Sequence, residues 1–535
     1  LRPRWVYDFS LCFSLLLLLL LRRRRSKTSS LRFSSMDQKL FSKALTHYAL
    51  ASRSYHTTRL KKATLYAKIS PLGDPSISVE SELDGWVQEG KKVRVAELQR
   101  IIRDFRKRSR FSQALQVSEW MKKSGACIFS PTEHAVQLDL IGRVRGYLSA
   151  EKYFNQLKEQ DQNIKTYGAL LNCYVRQQQV DKSLSHLQKM KELGFATSEL
   201  TYNDIMCLYT RVGQHEKVPE VLAEMKGNNV SPDNFSYRIC INSYGARKDL
   251  EGMENVLKEM ESQPHIVMDW NTYAVVANFF IKAGLTDKAV DALRKSEEKL
   301  KSKDRIGHNH LISLYATLGN KEKVLRVWNL DKTATTRIIN RDYITMLESL
   351  VRLGELEEAE KVLKEWESSG NCYDFRVPNT VIVGYIDKGM CERAETLLEN
   401  LNQNEKATTP NSWGAVAVKY LDRGETEKAL ECMKAALSVN TDKGWKPNPR
   451  VITGVLNWLG DKGIVEEVEA FVSALRSVIP VNREMYHALL KVYIRADKEV
   501  NEVLNKMKAD KINEDEETKK ILGTWEETTE GKSIA

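Results

Sequence analysis

Gly284, Gly319, Gly354, Gly389 and Gly424 stand 35 residues apart, and five residues after each comes a small or β-branched residue: Ala289, Val324, Ala359, Ala394 and Ala429. A fixed period of this length means a stack of copies of one unit. Two other residue types keep the same step: Tyr167, Tyr202, Tyr237, Tyr273 and Tyr343 are 35, 35, 36 and 70 apart, and Met190, Met225 and Met260 are 35 apart. With three types in register, chance is a poor explanation. The 535 residues therefore read as one elongated array rather than as several globular domains.

The stretch from Asn340 to Asp374 shows what the unit is. Tyr343, Met346, Leu347, Leu350 and Val351 fall at i, i+3, i+4, i+7 and i+8, one apolar face of a helix. Gly354 follows where a left-handed residue would stop that helix. A second stripe, Leu356, Ala359, Leu363 and Trp366, runs through charged residues in which Glu357/Lys361 and Glu360/Lys364 have the favourable i, i+4 order. Each unit is predicted to be a helix, a tight turn and an antiparallel helix, with Ala359 and its equivalents small because the helices approach closely there. One hairpin cannot bury both stripes alone, so neighbours must stack.

This period, with Tyr early in the first helix, Gly at the turn and Ala in the second helix, resembles the pentatricopeptide repeat. Leu200-Thr-Tyr-Asn-Asp-Ile-Met, Arg211-Val-Gly213, Ser231-Pro-Asp233 and the run from Asn379 to Gly389 carry the resemblance most closely. By register about twelve units, numbered 1 to 12 from here on, begin at Val95, Pro131, Ile164, Glu199, Asn234, Trp270, Arg305, Asn340, Phe375, Pro410, Pro449 and Arg483 and end near Asp515. The unit at 410–448 carries an insertion around Lys443-Gly-Trp-Lys. The fold this implies is all-α, a right-handed α-solenoid, or superhelix, of helix-turn-helix repeats of 35 residues.

The net charge of +11 invites a nucleic-acid reading, but residues 1–73 alone carry +13, which leaves −2 for the rest. The basicity is a property of the N-terminus and says nothing of the array. One local block differs: Lys91 to Arg110 holds nine basic residues against Glu97 and Asp104, with Arg103, Arg106, Lys107 and Arg110 assigned to one helix face. Contact with an RNA backbone or acidic partner and an ordinary solvated face both fit it. The eight cysteines form no CxxC or ligand-spaced cluster, so they read as small buried residues of a reducing compartment.

At the N-terminus the leucine run Leu15–Leu21, followed by Arg22–Arg25, is too short to span a bilayer and has its charges on the wrong side for a secretory signal. Residues 1–35 read as a translated upstream leader before Met36. Residues 36–69 read as a transit peptide and unstructured segment, with Phe41, Ala44, Leu45 and Tyr48 on one face, basic residues and almost no acid. Arg53-Ser-Tyr55 resembles a mitochondrial processing site, which makes the mitochondrion the expected destination and the chloroplast the alternative. A linker and helix at 70–94 then lead to the array at 95–515 and a tail at 516–535. The segments around Ser81–Gly90, Glu97–Ile102 and Val117–Met121 resemble plant mitochondrial members of the family's P class.

The resemblance implies that first helices line a groove where single-stranded organellar RNA is read at one base per repeat by the fifth and last residues of each unit, with stacking from the second. Asn203 with Asp233 matches the pattern associated with uridine, and Thr453 with Asn482 the one associated with adenine. Asn379 with Thr409 and Asn309 with Ile339 match in part, and the other eight units depart. Among second residues Leu200, Phe235 and Ile306 suit a base face, while Arg341, Arg376 and Arg450 suit a phosphate or guanidinium stacking, or are simply solvated. So sparse a code points to RNA contact through shape and backbone, or to a scaffold role in an assembly such as the mitochondrial ribosome, alone or with RNA-processing proteins.

Catalytic motifs are missing. No HxE with CxxC, HExxH, P-loop or GxSxG is present, and His308-x-His310 places its imidazoles about 200° apart on a helix. The sequence therefore predicts a non-catalytic RNA-binding protein without metal or cofactor and without a membrane span, acting on mitochondrial transcripts.

Overall fold

The computed structural model describes residues 64–72, 77–125, 127–335, 337–439 and 444–523. The leader, the transit segment through residue 63 with its processing site, Lys443 of the insertion and the tail from 524 lie outside the described residues. Among the described residues the regular elements are all helices.

The unit forms as its stripes require. Helix Asn340–Leu353 buries Tyr343, Met346, Leu347 and Leu350, Gly354 ends it at φ +79°, and helix Leu356–Ser368 returns with Leu356, Ala359, Leu363 and Trp366 buried. Burying each such large apolar side chain stabilises the fold by roughly 1.5–3 kcal/mol. The left-handed turn recurs at Gly213, Gly284, Gly319, Gly389 and Gly424, and in the same register at Gln178 and Lys248, which carry side chains. Ala289, Val324, Ala359, Ala394 and Ala429 are each wholly buried, as close helix approach demands.

The chain divides into two compact units, residues 1–173 and 174–535, where the period predicted one uninterrupted array. In the first, helices Leu65–Ile69 and Val79–Gln88 precede the pairs Val95–Lys107/Phe111–Lys123 and Pro131–Val144/Tyr147–Asn155. Helix Leu65–Ile69 corrects the reading of 36–69 as unstructured: Thr64 caps it, and Leu65 and Ile69, four apart, are both buried.

In the second unit the first helices of repeats 4 to 12 are Glu199–Arg211, Asn234–Ala246, Trp270–Lys282, Arg305–Thr317, Asn340–Leu353, Arg376–Asp387, Pro410–Asp422, Pro449–Lys462 and Arg483–Arg495. Each is in contact with the next, which makes this unit an all-α repeat solenoid. Repeat 9 starts its helix at Arg376 rather than Phe375, because Asp374 takes the Arg376 N–H as a cap. Residues 516–523, at the start of the tail, are helical, with Thr518 and Ile521 buried and Asp515 accepting from the Thr518 N–H at 2.9 Å.

Two ladders of polar contacts tie successive hairpins of this unit together. First-helix tyrosines donate to second-helix carboxylates of the hairpin before: Tyr273 to Glu261 at 2.8 Å, Tyr385 to Glu360 at 2.5 Å and Tyr420 to Glu395 at 2.6 Å. Second-helix lysines pair with the carboxylate 33 or 34 residues on, as in Lys226–Glu259, Lys321–Glu355, Lys332–Glu365 and Lys434–Glu467. These ion pairs are half-exposed and contribute little singly, about 0–1 kcal/mol, but they repeat.

Candidate nucleic-acid interface

The last residue of a repeat has a structural task before any other. Ser130, Asn163, Asp233, Asp269, Asp304, Asp374, Thr409, Asn448, Asn482 and Asp515 all accept a backbone N–H from the first turn of the following helix. Helix capping alone explains why this position is polar. Ser198 and Ile339 make no side-chain cap.

Fifth residues carry the more selective signal. Seven are polar with a long enough reach, and all seven bond across to the start of the next helix. Gln99 donates to Glu133 at 2.9 Å, and Arg238 to Asp269 at 2.6 Å. Thr453 donates to Glu484 at 2.8 Å, and His487 lies 2.9 Å from the Thr518 hydroxyl and 3.3 Å from Asp515. The three asparagines form a set of their own. Asn203 donates from Nδ2 to Asp233 at 3.2 Å and accepts at Oδ1 from the Ser236 hydroxyl at 2.7 Å. Asn379 accepts from Ser412 at 2.7 Å, while Thr409 lies 2.9 Å from that serine. Asn309 donates to Asp342 at 2.7 Å. Asn203 is 3 % exposed, so its amide is held by both neighbours with one N–H left over.

This geometry corrects the expected pairings in two places. Thr453 donates to Glu484 rather than bonding Asn482, whose Oδ1 takes the Met485 N–H. Asn309 is tied to Asp342, since Ile339 offers no acceptor. Sequence reasoning missed the partners at the third residue of the next repeat. The one trace of them in the sequence is a shared register: Thr166, Thr201, Ser236, Thr272, Asp342 and Ser412 are all polar at the third position, and all prove to be buried.

Electrostatics at the caps favours the charged form. Burial pushes the Asp233 carboxyl up, but hydrogen bonds from the Ser236 N–H and the Asn203 amide outweigh it and hold it below the ordinary aspartate value. Asp515 is held down to about 2, first by the Thr518 N–H and hydroxyl, with His487 and Arg483 adding to the effect against burial. The Arg376 guanidinium likewise holds Asp374 low.

Beside this row, Leu200, Phe235 and Ile306 are 67 %, 45 % and 63 % exposed, apolar surfaces with no covering side chain. The arginines divide. Arg376 is bidentate to Asp374, and Arg450 pairs with Asp422, whereas Arg341 is exposed and makes no ion pair among the described residues. In the basic block, helix Val95–Lys107 stops before Arg110, so Arg110 does not share a face with Arg103; it caps the next helix and donates to the Ser70 carbonyl at 2.8 Å. Arg106 pairs with Asp139 at 2.9 Å. Arg103 and Lys107 remain exposed without an ion pair among the described residues.

His308 and His310 point apart: His308 is buried 2.9 Å from Asp331, and His310 sits beside Trp270. Cys173, Cys240, Cys391 and Cys432 are buried, and burial pushes the Cys240 thiol up to about 12, so it is inert as a nucleophile. Cys372 is exposed, contrary to the expectation that the cysteines are buried, and Cys12 lies outside the described residues. No helix among the described residues is long and apolar enough to cross a membrane.

Comparison with known proteins places these features in context. The PPR repeat family model matches residues 197–246, and the PPR repeat model matches 165–195, 235–264 and 342–371. The Arabidopsis thaliana protein "Pentatricopeptide repeat-containing protein At4g21705, mitochondrial" is 60 % identical over 89 % of this chain and 97 % of its own length. The At2g20710 protein of the same plant, also named mitochondrial, is 37 % identical over 79 % of this chain and 85 % of its own. A third Arabidopsis relative, the large ribosomal subunit protein mL101 (rPPR4), is 31 % identical over 87 % of this chain and 95 % of its own length.

Proposed function

The chain belongs to the pentatricopeptide repeat family, and on that premise we propose that it binds single-stranded RNA in mitochondria without catalysing a reaction. The observation that carries this reading is the row of fifth-position side chains, with Asn203 held from both sides so that one amide N–H is left to meet a base. Exposed Leu200, Phe235 and Ile306 supply stacking surface next to that row. The mechanism is occupancy: a bound strand is shielded or kept unfolded, which alters transcript stability, processing or translation. The names of the two mitochondrial relatives support the location. We assign residues 95–515 to the RNA-facing array. Crosslinking the tagged protein in isolated mitochondria should recover discrete transcript segments; recovery no better than from untagged organelles would end this reading.

A second reading, a structural part of the mitochondrial ribosome, is favoured by the relative named as a ribosomal protein and by the small number of complete fifth-and-last pairs. Under it the chain should co-sediment with one ribosomal subunit in near-stoichiometric amount at moderate salt. A free pool unlinked to either subunit argues for the first reading.

A further inference from the structure

Repeat 10 is four residues longer than the period, and the extra length falls between helices Thr426–Ser438 and Pro449–Lys462. At the junctions of repeats 5 and 6 and of repeats 8 and 9, the twelfth residue of one repeat lies against the tenth of the next, Gly245 against Phe279 and Val351 against Gly384. At the junction of repeats 10 and 11 the twelfth residue, Leu421, lies instead against the sixth, Gly454. At that contact helix Pro449–Lys462 stands four residues, or about 6 Å, further along its neighbour. The space beside Gly414, the fifth residue of repeat 10, is taken by the insertion. Outside the helix itself, the nearest described atom to a Cβ placed there is Cζ2 of Trp445, at 3.8 Å. The Trp445 ring thus rests against the first helix of its own repeat, and the residue is half-buried.

We propose that Trp445 is a stacking platform for one nucleobase of a bound strand, carried into the candidate row by the insertion. The proposal rests on the RNA-binding reading and adds a contact residue outside the second, fifth and last positions of any repeat. Gly414 has no side chain with which to bond across to the next helix, as Asn379 does in repeat 9 and Thr453 in repeat 11. At this point of the row the chain offers an indole in place of a polar group. A ring backed by a helix on one side and partly open on the other holds a base by its π-face, which every base possesses. Repeat 10 therefore adds affinity without selecting a sequence. The glycine is part of the device, since a larger side chain at 414 would compete for the place of the ring.

The test uses the full chain and the RNA that it selects from a pool of single strands with randomised positions. That RNA is then scanned with an abasic nucleotide at each position in turn. Trp445→Ala should weaken binding about tenfold, and one abasic position should weaken binding of the unmodified chain by as much. Combined, the two losses should not add, because each removes one side of the same stack. Trp445→Phe keeps an aromatic face and should retain most of the affinity. The salt dependence of binding should be the same in both variants, since neither touches a phosphate contact. If Trp445→Ala binds as tightly as the unmodified chain, or if its loss adds to that of every abasic position, the ring only packs and the proposal is overturned while the RNA-binding reading survives. No enrichment of any RNA by the unmodified chain removes both.

Discussion

At the scale of single residues, the same side chains serve folding and recognition, and the two tasks separate by position. The last residue of a repeat caps a helix whether or not the fifth residue is polar: Asp304 and Asn448 cap although Ala274 and Gly414 sit at the paired fifth positions. A polar last residue is thus weak evidence for base reading, and an amide tied to it is stronger. The caps also set a pH dependence. Asp515 has a folded value of about 2, and Asp233 is held below the ordinary aspartate value, so both folded groups are more acidic than in the unfolded chain. Such groups contribute stability that is present above the unfolded value of about 3.9 and is lost as pH falls through the folded value. Asp233→Asn keeps a cap but removes the charge. Thermal melts should therefore show a smaller loss of stability between about pH 5 and pH 2.5 for this variant than for the unmodified chain. Parallel losses would place the acid sensitivity elsewhere.

At the scale of elements, the helix pairs were legible because glycine, alanine and tyrosine mark fixed points in each unit and the apolar stripes have helical spacing. Legibility failed where a different residue performs the same task. Gln178 and Lys248 adopt the left-handed turn at φ +55° and +62° in the register of Gly213, yet nothing in their side chains announces it. A residue with a Cβ is strained there by roughly 1–2 kcal/mol, so Lys248→Gly should stabilise the array by about 0.5–1 kcal/mol after the glycine's larger unfolded entropy is counted. Gly354→Ala, at φ +79°, should destabilise by about 1 kcal/mol. Chemical denaturation followed by helix signal checks both, and equal shifts of one sign would contradict the turn argument. The third-residue partners were hidden for another reason. Ser236 and Asp342 look like ordinary first-turn helix residues, and only the placement of the next helix against Asn203 and Asn309 brings them within hydrogen-bond reach.

At the scale of the whole molecule, charge decides how the chain can hold a polyanion. Beyond residue 73 the net charge is −2, and most arginines near the candidate row already have carboxylate partners: Arg106 with Asp139, Arg238 with Asp269, Arg376 with Asp374, Arg450 with Asp422. Arg103, Lys107 and Arg341 are exposed and make no ion pair among the described residues. Each cation that meets a phosphate of a single strand steepens the salt dependence of binding by about 0.7 in log–log slope. Arg103→Glu and Arg341→Glu should each flatten that slope by about 0.7 or more, since they remove a free contact. Arg376→Glu and Arg450→Glu should change it little, because those guanidinium groups are already neutralised and must break an ion pair to reach RNA. Binding titrations of the four variants across a salt series separate the cases. If all four flatten the slope alike, the ion pairs open on binding and the backbone carries the affinity. If none does, the bound strand lies away from these cations, and contact rests on the stacking surfaces and the asparagine row alone.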